Sequence, residues 1–120
     1  VYKNVYVYET PNIFLHKSFS LLALCTGYTK GYESTGKHPG NIGYGLTSSG
    51  KYVKQGYVAA DIDVFPYGSL IYIDGMGVYQ VEDTGSAIKG NHIDIYFDNV
   101  NEALRFGRQK RNVILLRRGY

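Results

Sequence analysis

The stretch Glu82-Asp83-Thr84-Gly85-Ser86-Ala87-Ile88-Lys89-Gly90-Asn91-His92-Ile93-Asp94-Ile95-Tyr96-Phe97 governs how the chain folds. Strand alternation over its last five residues sends Ile93, Ile95 and Phe97 to one face and leaves Asp94 beside Tyr96 on the other. A second face of this kind normally carries Thr or Val, so a carboxylate there needs either solvent or a purpose. Upstream, Val81-Glu82-Asp83 ends a strand in a Thr84-Gly85 turn. Asp83 therefore sits at a rim, where free backbone N–H groups bind anions, although an Asp in a turn also serves simply as an Asx cap. Gly85 and Gly90 permit close backbone approach between the two aspartates. Lys89 either counters their charge or is a solvated loop lysine.

Outward from this stretch, short strands recur between turn signals at 20–28, 57–60, 70–73, 78–82, 93–97 and 112–116. Pro66-Tyr67-Gly68 and Asp74-Gly75-Met76-Gly77 supply tight turns on either side of the 70–73 strand. Asn101 to Phe106 reads as a helix, with Asp98 or Asn99 as its N-cap and Gly107 as its stop. Lys30 to Gly45 reads as a long surface loop. This spacing predicts a mainly-β chain folded as a six-stranded barrel with one short helix. An N-terminal arm or linker over residues 1–19 precedes a single domain over 20–120. The arm's strand, Asn4 to Tyr8, has edge character, and a homodimer exchanging arms is the expectation there.

Composition narrows the functional classes. At 120 residues, with 44% hydrophobic and only 19% charged, the chain buries one core and has no room for a second full domain. Fifteen Gly and 13 Tyr favour strands and turns over long helices. A net charge of +3 is too mild for the electrostatic footprint of a nucleic-acid binder. No segment reaches the roughly 18 apolar residues of a membrane span. Cys25, the only cysteine, lies in an apolar run and reads as a buried structural thiol, which excludes an intramolecular disulfide and a Cys-based zinc site. His16, His38 and His92 lack metal-ligand spacing, so no metal is expected.

Asp61 closes the 57–60 strand and by itself reads as a strand terminator. In a compact barrel whose rims gather strand ends, Asp61, Asp83 and Asp94 share a neighbourhood. Like charges held close do not all ionise near 3.9, so one proton is expected to persist toward neutral pH, as a general acid requires.

Val58-Ala59-Ala60-Asp61, Pro66-Tyr67-Gly68-Ser69, the 82–97 stretch and Ala103-Leu104-Arg105-Phe106-Gly107 together resemble the 3D domain, a family named for three aspartates. The likeness runs from about Ala23 to Leu116, and is to muralytic proteins of the stationary-phase survival type. At Asp83 and Asp94 it extends to membrane-bound lytic transglycosylase A. The resemblance implies a double-psi β-barrel and non-hydrolytic cleavage of the MurNAc-β-1,4-GlcNAc bond of peptidoglycan glycan strands, leaving 1,6-anhydro ends. It implies Asp94 as the acid and base, with Asp83 and Asp61 in support. Thr26, Tyr28, Thr47, Lys89, Asn91 and Tyr96 would contact sugar, no cofactor would be needed, and the protein would work outside the cytoplasm, in the cell wall or secreted. The missing initiator Met fits removal of a signal or membrane anchor. Gly27, Ile62 and Ser86 depart from the family pattern, where Ala, Pro and a second Gly are common.

Such chemistry suits one dominant acid. Ordinary glycosidases need a second carboxylate, whereas here the muramyl C6 hydroxyl, already tethered, attacks C1. Three rivals remain. Asp83-Thr84-Gly85-Ser86-Ala87 also fits the aspartic protease triplet, though few residues follow it and Glu82 is wrong for its apolar approach. A non-catalytic wall-binding module would tolerate loss of the acid. Three aspartates also offer oxygens to Ca²⁺ or Mg²⁺, but without a dense acidic loop.

Overall fold

The structure, a computed structural model, describes residues 19–119. The expected arm over 1–18, with its dimer pairing, lies outside the described residues. Six strands form: β1 (Phe19–Tyr28), β2 (Tyr57–Ala60), β3 (Leu70–Ile73), β4 (Gly77–Asp83), β5 (His92–Tyr96) and β6 (Gln109–Arg117). They close into a barrel in the order β1-β5-β2-β4-β3-β6. Two of the neighbouring pairs are parallel, β1 with β5 and β2 with β4, and the rest are antiparallel. The expected six-stranded double-psi class is therefore the observed one.

Alternation assigns the two faces of this wall. Ala23, Cys25, Val58, Val81, Ile93 and Ile95 point inward and are fully buried, with Ile71, Ile73 and Val113 closing the core from β3 and β6. Cys25 is the inert interior thiol expected of it, its pKa raised chiefly by desolvation. Gly68 (φ 84°) lets the 66–69 turn close with Ser69 N–H donating to the Pro66 carbonyl at 3.0 Å.

Among the described residues two helices occur rather than one. α1 (Tyr32–Thr35) is a single turn inside the expected 30–45 loop, stopped by Gly36 in the left-handed conformation. No apolar periodicity announces it, since it buries no residue. α2 (Val100–Phe106) starts at Asn99, whose side chain accepts hydrogen bonds from Asn101 N–H and Glu102 N–H.

α2 lies on β1, with the Phe97 and Phe106 rings 5.5 Å apart beneath it. Gly27 makes this approach possible. A Cβ built there would lie 2.8 Å from Cε2 of Phe97 and 3.3 Å from Cα of Ala103. The departure from Ala at this position thus has a packing reason in this chain. Gly27→Ala should cost roughly 1–3 kcal/mol as an overpacking change. Urea denaturation measures it, and parental stability in the variant would show that Phe97 moves aside freely.

Candidate functional site

The outward face of the wall carries a row of four side chains in register. Asp94 on β5 stands opposite Thr26 on one side and Ala59 on the other, and Ala59 stands opposite Asp83 of β4. A bulge between Val58 and Ala59 produces the last pairing. Val58 faces Val81, and without the shift Ala59 would face Glu82. The extra residue turns Asp83 onto the face that holds Asp94, a use of bulges common beside active sites. Ala59 is small, so a cleft of about 300 Å³ opens over it, lined by Tyr28, Asp83, Asp94, Ser34, Thr35 and the 84–88 connection. A smaller hollow of about 50 Å³ adjoins it through Tyr28, Thr35 and Asp83, with Lys30 and Lys37 on its wall.

The two carboxylates differ in surroundings. Asp83 Oδ1 accepts from Ser48 N–H (3.0 Å), the Ser48 hydroxyl (3.0 Å) and Thr84 N–H (2.9 Å), and Oδ2 accepts from the Tyr28 hydroxyl (3.0 Å). Four donors converging on one group suit a fixed acceptor rather than a proton donor. Burial and the neighbouring Asp83 push the Tyr28 phenol well above its ordinary range, so Tyr28 stays a donor. Among the described residues Asp94 accepts a single bond, from the Thr26 hydroxyl to Oδ1 at 2.7 Å. Its pKa is raised, mainly by desolvation; Thr26 and His92 oppose the rise, and Asp83 adds to it. Burial, more than crowding by like charge, is what favours a retained proton.

The loop that brings Ser48 to Asp83 is fastened from below. Fully buried Glu82 accepts from Lys51 Nζ at 3.0 Å and from the Gln80 side-chain amide. Tyr67 in turn donates to the Ser48 hydroxyl at 2.9 Å. These contacts join residues far apart in the chain, and sequence reading saw in Ser48 only one of several turn hydroxyls.

Several expected sugar contacts are placed elsewhere. Tyr96 is 1% exposed, packed edge-on against Tyr28 at 5.6 Å, and offers no ring face to a sugar. Burial and the nearby Asp98 push its phenol up to about 12. Thr47 is buried within its own turn, bonded to Ser49 and to the Lys51 backbone. Lys89 is exposed beside Asp61, and Asn91 bonds the Leu22 carbonyl at 3.3 Å. Neither lines the cleft. Thr26 spends its hydroxyl on Asp94 and on His92 Nε2, 2.9 Å away. Tyr28 alone of this group borders the cleft with an aromatic ring.

Asp61 also stands apart from the other two aspartates. Its carboxylate accepts from Gly90 N–H (2.9 Å) and Asp63 N–H (3.0 Å), tying the turn after β2 to the connection between β4 and β5. These bonds, Gly90's first, lower its pKa. Asp61 holds the loop that frames the cleft and does not line it.

The 3D domain matches residues 56–117, just over half of the chain, from β2 to the last residue of β6. The chain is a member of the 3D domain family. Relatives of the 3D domain in Bacillus subtilis include the putative cell wall shaping protein YabE, 41% identical over 49% of this chain and 14% of its own length. The cell wall-binding protein YocH is 39% identical over 49% and 21%. The prophage-derived YorM is 33% identical over 74% and 34%. The chain thus spans about a third of these relatives or less. The barrel is shared with the lytic transglycosylase MltA of Escherichia coli, at 23% identity and a TM-score of 0.51 over 62% of this chain and 28% of that one. A second MltA structure holds chitohexaose, with a TM-score of 0.52 at 22% identity and the same coverage.

Opposite stability effects are expected at the two outer aspartates. A raised carboxyl pKa penalises folding once pH exceeds the unfolded value of about 3.9, and the penalty disappears below it. Asp94→Asn should therefore stabilise the fold at pH 7 and lose that gain near pH 3. A lowered pKa contributes stability above the unfolded value that is lost as pH falls through the folded one. Asp61→Asn should accordingly destabilise at pH 7 and matter little in strong acid. Urea midpoints at both pH values read the two signs directly.

Proposed function

We propose that this 3D domain cleaves the glycan strands of peptidoglycan as a lytic transglycosylase, with Asp94 as the general acid and base. The observation that carries this reading is a half-buried carboxyl, its pKa raised by desolvation and one oxygen steadied by a hydroxyl, at the wall of a cleft of sugar size. A barrel in common with MltA and relatives named for the cell wall support it.

On this reading Asp94 protonates the oxygen bridging N-acetylmuramic acid to N-acetylglucosamine. The muramyl C6 hydroxyl then attacks C1 of the same sugar, and its proton passes to the Asp94 carboxylate. The acid is restored, and a 1,6-anhydro end forms without water. No second carboxylate need act as nucleophile, which suits the engagement of both Asp83 oxygens with protein donors. Asp83 instead supplies a fixed negative charge near the oxocarbenium-like centre, and Asp61 keeps the 84–91 connection in place. Tyr28 offers the aromatic edge for a sugar ring. Lys30 and Lys37, without a carboxylate partner among the described residues, suit the lactyl carboxylate of a muramic acid that carries no peptide stem, in the smaller hollow.

YocH's name as a wall-binding protein favours a second reading, in which the cleft holds glycan without cutting it. Asp94→Asn separates the two. Mass spectrometry of digested peptidoglycan should show anhydro-muramyl ends with the parent chain, and a loss of roughly 10²–10⁴-fold in the variant, while glycan affinity stays within about threefold. Binding by both proteins with no anhydro product from either would establish the binding module instead.

A further inference from the structure

His92 lies two residues before Asp94 on the same face of β5, and its ring reaches Asp94 through one hydroxyl. His92 Nε2 is 2.9 Å from Thr26 Oγ1, which is 2.7 Å from Asp94 Oδ1. The other ring nitrogen, Nδ1, lies 3.3 Å from the Ala87 carbonyl in the connection that lines the cleft. No protein group among the described residues bonds Asp94 Oδ2.

We propose that His92 is a positioning residue that decides, through the Thr26 hydroxyl, which oxygen of Asp94 carries the catalytic proton. The inference rests on the reading of Asp94 as the general acid.

A hydroxyl donates one proton, so Thr26 donates to either Asp94 or His92 but not to both. With the imidazole protonated, Nδ1–H donates to Ala87, Nε2–H donates to Thr26, and Thr26 donates to Asp94 Oδ1. Every contact is satisfied in one direction, and the carboxyl proton is left on Oδ2, free to meet the glycosidic oxygen. When the imidazolium releases its Nε2 proton to solvent, the ring keeps Nδ1–H on the Ala87 carbonyl and Nε2 becomes an acceptor. Thr26 then turns to donate to Nε2. Its oxygen becomes an acceptor for Asp94, and the carboxyl proton shifts to Oδ1, bonded to Thr26 and withdrawn from the cleft. One proton has left the protein, and the switch acts over the pH range in which Asp94 keeps its own proton while His92 releases one.

Histidine is the side chain whose ordinary titration falls between pH 5 and 8, where such a rotor switch has effect. The other groups facing this pair are few. Asp83 on β4 and Tyr28 on β1 face Asp94. Lys110 on β6 is separated from His92 by Leu24, which is the β1 partner of both.

Two measurements on the full chain test the assignment. The first needs no substrate: the Asp94 carboxyl carbon, followed by NMR against pH, should show a second step coincident with the titration of the His92 ring. That step should vanish in Thr26→Val and persist in Thr26→Ser. The second is the pH profile of anhydro-end release. Gln at position 92 donates from its amide at every pH, so His92→Gln should move the alkaline limb up by roughly half a pH unit or more. Thr26→Val should lower the rate about tenfold or more across the profile, and Thr26→Ser should restore it. Independent titration of Asp94 and His92 in the parent chain, or an alkaline limb unmoved in His92→Gln, would overturn the proposal. Coupled titration without anhydro product from the parent chain would uphold the rotor while removing the cleavage reading, so the two fail separately.

Discussion

A single irregularity in strand pairing orders the site. In an unbroken ladder, Ala59 would meet Glu82, and Asp83 would turn toward the barrel core, where an unpaired carboxylate costs several kcal/mol. The bulge after Val58 inserts one residue on the β4 side, and the register Asp83, Ala59, Asp94, Thr26 runs across four adjacent strands. The spacing between neighbouring strands, about 4.8 Å, then sets the scale on which these groups meet. Because β1 and β2 flank β5 and β4 follows β2, one row gathers Asp94, its hydroxyl partner, a small floor residue and a second carboxylate.

Shared position does not give shared chemistry. Asp83 and Asp94 lie in one cleft, yet one is saturated by four donors and the other receives a single hydroxyl under substantial burial. Burial raises the Asp94 pKa, while the oxygens of Asp83 are engaged by protein donors, so the two carboxyl groups offer a ligand different surfaces. The difference is built from distant sequence. Ser48 comes from a loop anchored through Lys51 on buried Glu82, so a charge pair outside the cleft keeps two of the four donors on Asp83. Thr26 comes from a strand 68 residues before Asp94.

Much of the fold was legible because its signals are local. Strand ends fell within a few residues wherever glycine or proline turns bound an alternating run, and Asn99 and Gly107 marked both ends of α2. The single turn of α1 was illegible, since a four-residue helix with no buried face leaves no period to read. In the candidate site, Asp83 and Asp94 could be read from strand alternation and turn position. Asp61 groups with the other two in the sequence, which does not show that its oxygens turn to Gly90 and Asp63. Tyr96 shares Asp94's face, as alternation requires. Its burial depends on what covers that face, which strand periodicity does not encode. His92 is not legible as part of the site, because its spacing speaks only to metal ligation while its partner is a threonine on a parallel neighbour.

The Asp-Thr-Gly string at 83–85 shows why environment outranks motif. A dimeric aspartic protease needs two such aspartates to share one proton, each with an oxygen turned toward its twin. In this chain Asp83 has neither oxygen free for that purpose: Tyr28 takes Oδ2, and Ser48 with Thr84 takes Oδ1. To pair with a second copy it would have to surrender bonds that also hold the 47–51 loop and the Tyr28 ring at the cleft. Stripping this half-buried carboxylate of its donors costs about 1.5–3 kcal/mol for each charge-assisted bond. The same three residues that would make a proton-sharing dyad in one setting make a fully engaged acceptor in another, which leaves the less solvated carboxyl across Ala59 as the one with an oxygen that no described protein group bonds.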